Sequence, residues 1–457
     1  MRATPLLPLL GLLLVGCNLA PRYTRPAAPV PAAFPGAGAA AETPEVPWTS
    51  FFTAPGLQGV IRQALANNRD LRAASFNVER VQAAYRIQRG AVWPSAGVMA
   101  SGDKYRLPEK LNNGTAKYVE QDSVQFGILS WEIDFFGRLR SLKDQALAQF
   151  LATEQAREAA RLSLVSATAQ AWLTLAADQE NLRLAQGTWE TQKGTFDMIK
   201  ARNAAGLASD LDLRQAESQV EAARADLARL KGQVAADGNA LELLAGGKVP
   251  QDLLPQGLDA AGDFKDVPAG LPSQVLLRRP DIRAAEYQLM AANANIGAAR
   301  AAFFPRVSLT AGIGTLSPSV SDLFGSGTRT WSFAPQIVSP IFAGGSLIAG
   351  VDAAKAGRDM ALAQYEGAIQ AGFRDVADGL ARRAALVEQV DAQQALVTAL
   401  QKAYELSDLR YKAGLDGYLN VLVAQRSLYA AQQGLVATRL AAKVNQVALY
   451  KALAGQI

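Results

Sequence analysis

The chain has 457 residues, of which 49% are hydrophobic but only 7% aromatic, and its formal net charge is +5. Abundant Ala with few aromatic residues is typical of long, closely packed helices rather than of a bulky globular core. The small basic excess is spread along the chain without a dense stripe, so nucleic-acid binding is not expected. There is no His, and Cys17 is the only cysteine. Disulfides, Cys/His zinc clusters and His-based acid–base catalysis are therefore excluded.

The N-terminus predicts a processed lipoprotein leader. Arg2 precedes an apolar run over residues 6–16, which is of signal-peptide length and too short to span a bilayer. The run ends in Leu14-Val15-Gly16-Cys17, which resembles the lipobox of bacterial lipoproteins and implies cleavage before Cys17 and acylation of that residue. Asn18 follows instead of Asp, which by the same resemblance implies the outer membrane. The alternative is an ordinary secretory signal with a chance Cys.

Apolar residues recur every seven positions in two long stretches, which predicts coiled-coil-like helical walls. The first series, which includes Phe196 and Leu213, breaks at residues 203–206, and the second, which includes Tyr404, breaks at 412–414. A shift of about 208 residues maps one series onto the other. The chain is therefore predicted to be internally duplicated. The first stretch runs for about 60 residues before its break, far beyond the length of an ordinary helix.

Each half is also predicted to contribute one pair of β-strands, because apolar residues alternate there with small or polar ones. Asn112-Asn113-Gly114 is a turn signal between two strands. The alternation slips near Leu129, as at a bulge, and continues to Phe135. Pro335 is expected to mark a bulge or a strand end.

Strands of about 10 residues match the length of a tilted membrane strand. An aromatic girdle is expected near the strand ends, formed by Trp131, Phe135, Phe303, Phe304, Trp331 and Phe342. Four strands cannot close, and open edges are not tolerated in lipid, so a spanning chain must oligomerise. Two copies would give about 8 strands and three about 12, and the small inward Gly and Ser residues favour three. The alternative is a soluble antiparallel sheet with one solvent-exposed face.

The predicted organisation begins with a signal peptide at residues 1–16 and a lipidated, Pro-rich extended segment at 17–54. Trp48, Phe51 and Phe52 are expected to dock this segment onto the body. The first repeat is 55–247, the linker 248–270 and the second repeat 271–457. Each repeat holds a helix, a strand pair (94–136 and 305–341) and a long helical hairpin (138–246 and 346–456).

Taken together, these motifs resemble the TolC-like outer-membrane efflux proteins, in particular their OprM-like lipoprotein branch, over nearly the whole mature chain. The motifs that carry the resemblance are the lipobox at Cys17, Phe136-Gly137-Arg138, residues 277–283, Phe304-Pro305, residues 340–345 and Tyr411-Lys412-Ala413-Gly414. The resemblance implies an α+β membrane protein, a homotrimer whose 12-stranded β-barrel in the Gram-negative outer membrane continues as an α-helical coiled-coil barrel in the periplasm. The implied function is the passive exit duct of a tripartite multidrug efflux pump, with a periplasmic adaptor (membrane fusion) protein and an inner-membrane RND-type transporter as partners.

The same resemblance assigns two roles to the tips of the helical hairpins. Adaptor contacts are expected at Gly206, Leu207, Gly414 and Leu415, and a periplasmic gate at Asp210, Asp212, Tyr411, Asp416 and Asn420. An acidic ring built from Asp416 would favour the passage of cations. The alternatives are turn chemistry for the glycines, solvated helix-start carboxylates for the acids, and helix packing for Tyr411.

No catalytic residue, metal site or cofactor is predicted apart from the covalent lipid on Cys17, and an enzyme is not expected. Within the same fold, the outer-membrane component of type I protein secretion or of metal efflux is an alternative. A coiled-coil surface lipoprotein without transport function would explain the seven-residue repeats and the lipid. It would not explain the duplicated alternating strands.

Overall fold

A computed structural model describes residues 18–35, 46–262, 264 and 272–454. The predicted signal peptide and Cys17 lie outside these residues. The chain divides into two compact units, each drawn from both repeats. Of the described residues, the first unit takes in those up to Ala27 and those in Asn77–Glu154 and Ala284–Tyr365, and the second takes in those in Ala28–Phe76, Gln155–Arg283 and Glu366–Ile457.

Long helices dominate the described chain. The described α-helices are α1 (Trp48–Phe51), α2 (Pro55–Asn67), α3 (Arg69–Gly90), α4 (Arg138–Ala204), α5 (Asp210–Ala245), α6 (Pro280–Ala301), α7 (Ser346–Lys412) and α8 (Tyr418–Ala452). Helices α4 and α7 each have 67 residues, and both ends of α7 lie 208 positions after those of α4, which confirms the predicted duplication. None of the described helices combines the length and the apolar character that a membrane crossing requires.

The first unit contains one antiparallel sheet, in which the described strands run in the order β1-β2-β3-β4. The strands are β1 (Ala96–Leu107), β2 (Lys117–Ile133), β3 (Arg306–Ser317) and β4 (Arg329–Val338). The predicted turn between β1 and β2 is confirmed, because Asn113 and Gly114 adopt φ values of 48° and 87°. A register shift between Ile128 and Trp131 confirms the predicted bulge.

Two details of the predicted strands are wrong. Strand β2 ends at Ile133 and does not reach Phe135, because the chain turns there: the N–H of Phe135 bonds the Ile133 carbonyl at 2.9 Å, and Gly137 has a φ of 73°. Pro335 marks neither a bulge nor a strand end, since it lies inside β4 opposite Leu309 in unbroken register. Strand β4 is one of the two outer strands of the described sheet and pairs there with β3 alone, so the missing N–H of Pro335 concerns at most one described neighbour.

The two faces of the sheet differ in chemistry. One cross-strand row consists of Val98, Phe126, Ile313 and Trp331, whose exposed fractions are 68%, 57%, 61% and 75%. A neighbouring row on the opposite face consists of Gly97, Gly127, Gly312 and Ser332. The sheet therefore presents one exposed apolar face and one face of small and polar residues.

The second unit has an aromatic core at the end of the extended segment. Phe51 and Phe52 are fully buried, and the Phe51 ring stacks on Tyr450 with centroids 4.3 Å apart. The predicted docking of the segment at these two phenylalanines is confirmed, whereas Trp48 stays partly exposed.

Candidate functional site: the hairpin tips

The first tip follows helix α4 and is closed by Gly206, which adopts a φ of 73°. The N–H of Leu207 bonds the Arg202 carbonyl at 2.8 Å, and the N–H of Gly206 bonds the Asn203 carbonyl at 2.9 Å. This pair of hydrogen bonds is a Schellman motif, which satisfies the last carbonyls of a helix and requires a left-handed residue. Glycine adopts that conformation without a Cβ penalty.

The second tip, after helix α7, repeats this geometry. Gly414 has a φ of 74°, and the N–H groups of Leu415 and Gly414 bond the carbonyls of Arg410 and Tyr411, each at 2.9 Å. Leu207 and Leu415 are 69% and 67% exposed. The two hairpins thus end in matching turns, each presenting one exposed leucine.

The acidic residues of the first tip have local structural roles. Ser209 caps helix α5 by accepting the N–H of Asp212, and the Asp212 carboxylate in turn accepts the N–H of Ser209, forming a capping box. The side-chain amide of Asn203 donates to the Ala208 carbonyl and to Asp210 Oδ1, each at 3.0 Å. Asp210 and Asp212 are therefore anchored within their own turn.

Asp416 is paired within the second tip. Arg410 donates to both of its carboxylate oxygens, from Nε at 2.6 Å and from Nη2 at 3.1 Å. This hydrogen bonding lowers the pKa of Asp416. The carboxylate is therefore ionised but balanced by a cation of its own chain, so it does not act as a bare negative charge.

Tyr411 lies at the junction of the two tips. Its ring is 5.7 Å from the Arg202 guanidinium and 5.4 Å from the ring of Tyr418. Burial raises the pKa of Tyr411, Arg202 lowers it, and Asp212 adds a smaller upward contribution. Tyr411 both packs in the helix seam and lies near charged groups of the first tip. The structure is therefore compatible with both predicted roles of Tyr411, as a gate residue and as a helix-packing residue.

A buried cluster lies directly behind the tips. Tyr418 is 2% exposed and packs with four other buried residues, Ile199, Ala216, Val421 and Leu422. Its buried hydroxyl finds no hydrogen-bond partner in the part of the chain that the structure describes. Phe196, Leu213 and Tyr404, all from the seven-residue series, pack against this cluster, which confirms that the repeat marks the packed seam.

The structure brings together only some of the predicted gate residues. Asp212 lies close enough to Tyr411 for its charge to raise the pKa of the tyrosine. In contrast, Asp210 accepts a hydrogen bond from Asn203, and Asp416 accepts one from Arg410. Asn420 is exposed on α8. Arg202 and Arg410 were missed from the sequence, although they occupy equivalent positions 208 residues apart and the repeat could have singled them out.

Two polar bridges deeper in the seam were also missed. Gln192 donates to Gln425 at 2.8 Å, and the Tyr429 hydroxyl donates to Asp226 at 2.5 Å. They link α8 to α4 and to α5. Within the described residues, no group of three or more carboxylate, His or Cys side chains could hold a metal ion.

Comparison with known proteins places this architecture in a family. The family profile described as outer membrane efflux protein matches residues 60–247 and 271–455. The chain belongs to the outer membrane efflux protein family. The toluene efflux pump outer membrane protein TtgC of Pseudomonas putida is 45% identical over 452 residues, which cover 97% of this chain and 93% of that protein. The outer membrane protein OprJ of Pseudomonas aeruginosa is 40% identical over 455 residues, covering 98% and 94%.

Solved structures agree with this assignment. The open state of the Neisseria gonorrhoeae outer membrane channel MtrE superimposes with a TM-score of 0.86 at 36% identity, covering 96% of this chain and 98% of that one. The predicted family, the α+β fold class and the function as an outer-membrane efflux channel are thereby confirmed. This efflux protein acts in the outer membrane, and its family is one of transport proteins.

Proposed function

We propose that this outer membrane efflux protein is the passive exit duct of a tripartite pump, built from three copies of the chain. The observation that carries the proposal is the sheet, whose exposed apolar face suits lipid. Among the described residues no strand pairs with the outer edges of β1 and β4. Unpaired backbone groups are not tolerated in lipid, so these edges must be completed by sister copies. Three copies supply about 12 strands, enough for a lumen.

The hairpin tips serve as the docking points for a periplasmic adaptor protein. The matching turns and the exposed Leu207 and Leu415 support this role, because they offer two similar apolar contacts on each copy. An inner-membrane RND-type transporter completes the pump. Since the duct only conducts, it needs neither a catalytic group nor a cofactor.

Gating is the second role of the tips. The ion pair of Arg410 with Asp416 and the contact of Arg202 with Tyr411 support a closed arrangement of the helix ends. Adaptor binding opens the duct if it contacts the open arrangement better than the closed one. The hairpin tips also contain the other predicted gate residues, Asp210, Asp212 and Asn420.

Acylation of Cys17 anchors the mature N-terminus to the inner leaflet of the outer membrane. The anchor adds to the membrane attachment that the strands provide. For cargo, the relative TtgC carries toluene in its name, and small apolar molecules are the cargo that we propose for this protein as well. Proteins and metal ions are the competing cargo classes.

The deciding experiment combines native mass spectrometry with planar-bilayer conductance of the detergent-purified protein. A trimer that forms discrete pores, and that co-purifies with an adaptor encoded in the same genome, is the expected result. A monomer that stays soluble without detergent, or a trimer without conductance, would refute the exit-duct function and leave a coiled-coil tether. Efflux assays with toluene, metal ions and a secreted protein then separate the three cargo classes.

A further inference from the structure

The first described residues are fixed along helix α6. The side-chain amide of Asn293 donates to the Pro21 carbonyl at 2.7 Å, and Arg300 Nη1 donates to the Leu19 carbonyl at 3.1 Å. Ala20 lies so close to Gly297 that a Cβ added there would come within 2.7 Å of the Ala20 nitrogen. Residues 18–25, which we call the strap, therefore follow a defined path rather than a loose one.

A buried carboxylate clamps the other end of the strap. Arg25 donates to Glu286 Oε1 from Nε at 2.6 Å and to Oε2 from Nη2 at 3.0 Å. The Tyr23 hydroxyl donates to Oε1 at 3.1 Å. Glu286 is only 5% exposed, and a buried carboxylate is costly unless it is paired in this way. The clamp is thus a specific contact that the sequence alone did not reveal.

The strap leads to an apolar groove of about 440 Å³ beside the start of β3. Leu19 forms part of its wall, and the other apolar lining residues are Phe303, Phe304, Ile348 and Val351. Phe303 and Ile348 remain 43% and 62% exposed. Arg300, Asp352 and Lys355 form a polar rim. An apolar space with charged side chains in its lining suits a hydrocarbon chain that ends in a polar group.

We propose that this groove holds one acyl chain of the lipid borne by Cys17. The inference rests on the acylation of Cys17 in the proposed function. Cys17 directly precedes Asn18 and lies two residues from Leu19, a separation that a fully extended chain spans in at most about 7 Å. Because the strap fixes Leu19 in the groove wall, the lipid starts beside an apolar surface of its own chain. Burial of each methylene there favours occupancy.

Docking of the lipid would change the role of the anchor. A free acyl chain only tethers the N-terminus to the bilayer, whereas a chain seated beside Phe303 and Phe304 ties the lipid to the base of the sheet. The strap and the groove together would set the depth at which the strands enter the membrane.

The experiment uses the full-length protein from cells fed a diazirine-bearing palmitate analogue, which labels acylated cysteines. The purified protein is irradiated, and the cross-linked peptides are mapped by mass spectrometry. Cross-links are expected in the peptides that carry Phe303 and Phe304 and in those that carry Ile348 and Val351. Intact-mass measurement of the N-terminal peptide reports separately whether Cys17 is acylated.

Matched variants test the path of the strap. Arg25→Ala removes the charged hydrogen bonds to Glu286 and is expected to lower groove cross-linking about tenfold, whereas Arg22→Ala, an exposed arginine of the same strap, leaves it unchanged. Ile348→Gln polarises the groove without touching the strap and should lower the cross-linking as well. Leu396→Gln, a 45% exposed position on the same helix α7, is its control.

The outcomes separate the two proposals. An acylated Cys17 whose probe reacts only with phospholipid, detergent or a neighbouring copy would overturn the groove while the anchor stands. An unacylated Cys17 would overturn both. Retention of the native oligomer on unheated gels shows that each variant is folded, since the altered side chains of Arg25 and Ile348 are largely exposed.

Discussion

Replacement of Gly206 by alanine separates turn chemistry from partner contact at the hairpin tip. A Cβ added at Gly206 would meet no atom within 4 Å, so the cost comes only from the left-handed backbone with its φ of 73°. For alanine that cost is about 1 kcal/mol. Gly194 is the matched control, because it also has open space around it but lies inside helix α4. Alanine there should stabilise the helix by about 1 kcal/mol.

The same substitution is therefore expected to act with opposite signs at two nearby glycines, one inside helix α4 and one in the turn that follows it. Hydrogen exchange of the tip peptide, measured by mass spectrometry, is more sensitive to local opening of the tip than a measurement of global unfolding is. Gly206→Ala should speed exchange there about fivefold, and Gly194→Ala should slow it by a similar factor. Unchanged exchange in Gly206→Ala would refute the backbone argument.

Gly206→Asn then distinguishes the two roles of the glycine. Asparagine tolerates the left-handed conformation, so it should restore slow exchange while it adds a side chain to the surface. If Gly206→Ala loses adaptor binding and Gly206→Asn keeps it, the glycine is needed only for the turn. If binding fails in both variants although exchange is normal in the asparagine form, the adaptor contacts the bare glycine.

Three further outcomes are expected. Arg410→Ala and Asp416→Ala should each raise single-channel conductance, and the double variant should add little, because both break one ion pair; additive increases would contradict a shared role. Leu415→Asp should weaken adaptor capture while trimers persist on unheated gels, since Leu415 is exposed; undiminished capture would exclude the contact. Burial, followed by hydrogen bonding with Asp178, raises the pKa of Asp237 from 3.8 to about 6. The folded state then holds a proton that the unfolded state loses in this window, so stability falls as pH rises through it. Asp237→Asn should raise the free energy of unfolding, measured by denaturant titration, at pH 8 but not at pH 4, by at most about 1 kcal/mol after solvent screening; an equal increase at both pH values would refute this.

Periodic features of the sequence predicted periodic features of the fold. The seven-residue series located α4 and α7 and the seam where Phe196 and Tyr404 pack, because a helix repeats its surface at fixed spacing. Alternation likewise predicted the four strands and the bulge beyond Ile128. It failed at Phe135, because a turn can continue an alternating pattern by chance. It also failed at Pro335, because the pattern does not show whether the N–H that proline lacks would point to a neighbouring strand.

The tips were predictable as turns but not as electrostatic sites. Glycine at both breaks indicated turns, and the hydrogen bonds of the structure then showed that both are Schellman motifs. The partner of Asp416, however, is Arg410, on the other side of an irregular turn. The separation of these two residues matches no helical or strand spacing, so their ion pair could be found only from the three-dimensional structure. The Arg25–Glu286 clamp spans 261 positions and was equally hidden.

The two hairpins also begin their returning helices differently. Helix α5 starts with the capping box of Ser209 and Asp212, whereas α8 starts at Gly417 without a side-chain cap. Glycine at the N-cap position of α8 costs only roughly a few tenths of a kcal/mol relative to serine. Duplication thus left two returning helices of nearly equal length, 36 and 35 residues, which begin with different caps of nearly equal strength. The start of α8 is held instead by burial, because Tyr418, Val421 and Leu422 pack in the cluster behind the tips, so the two hairpins fasten their returning helices by different means.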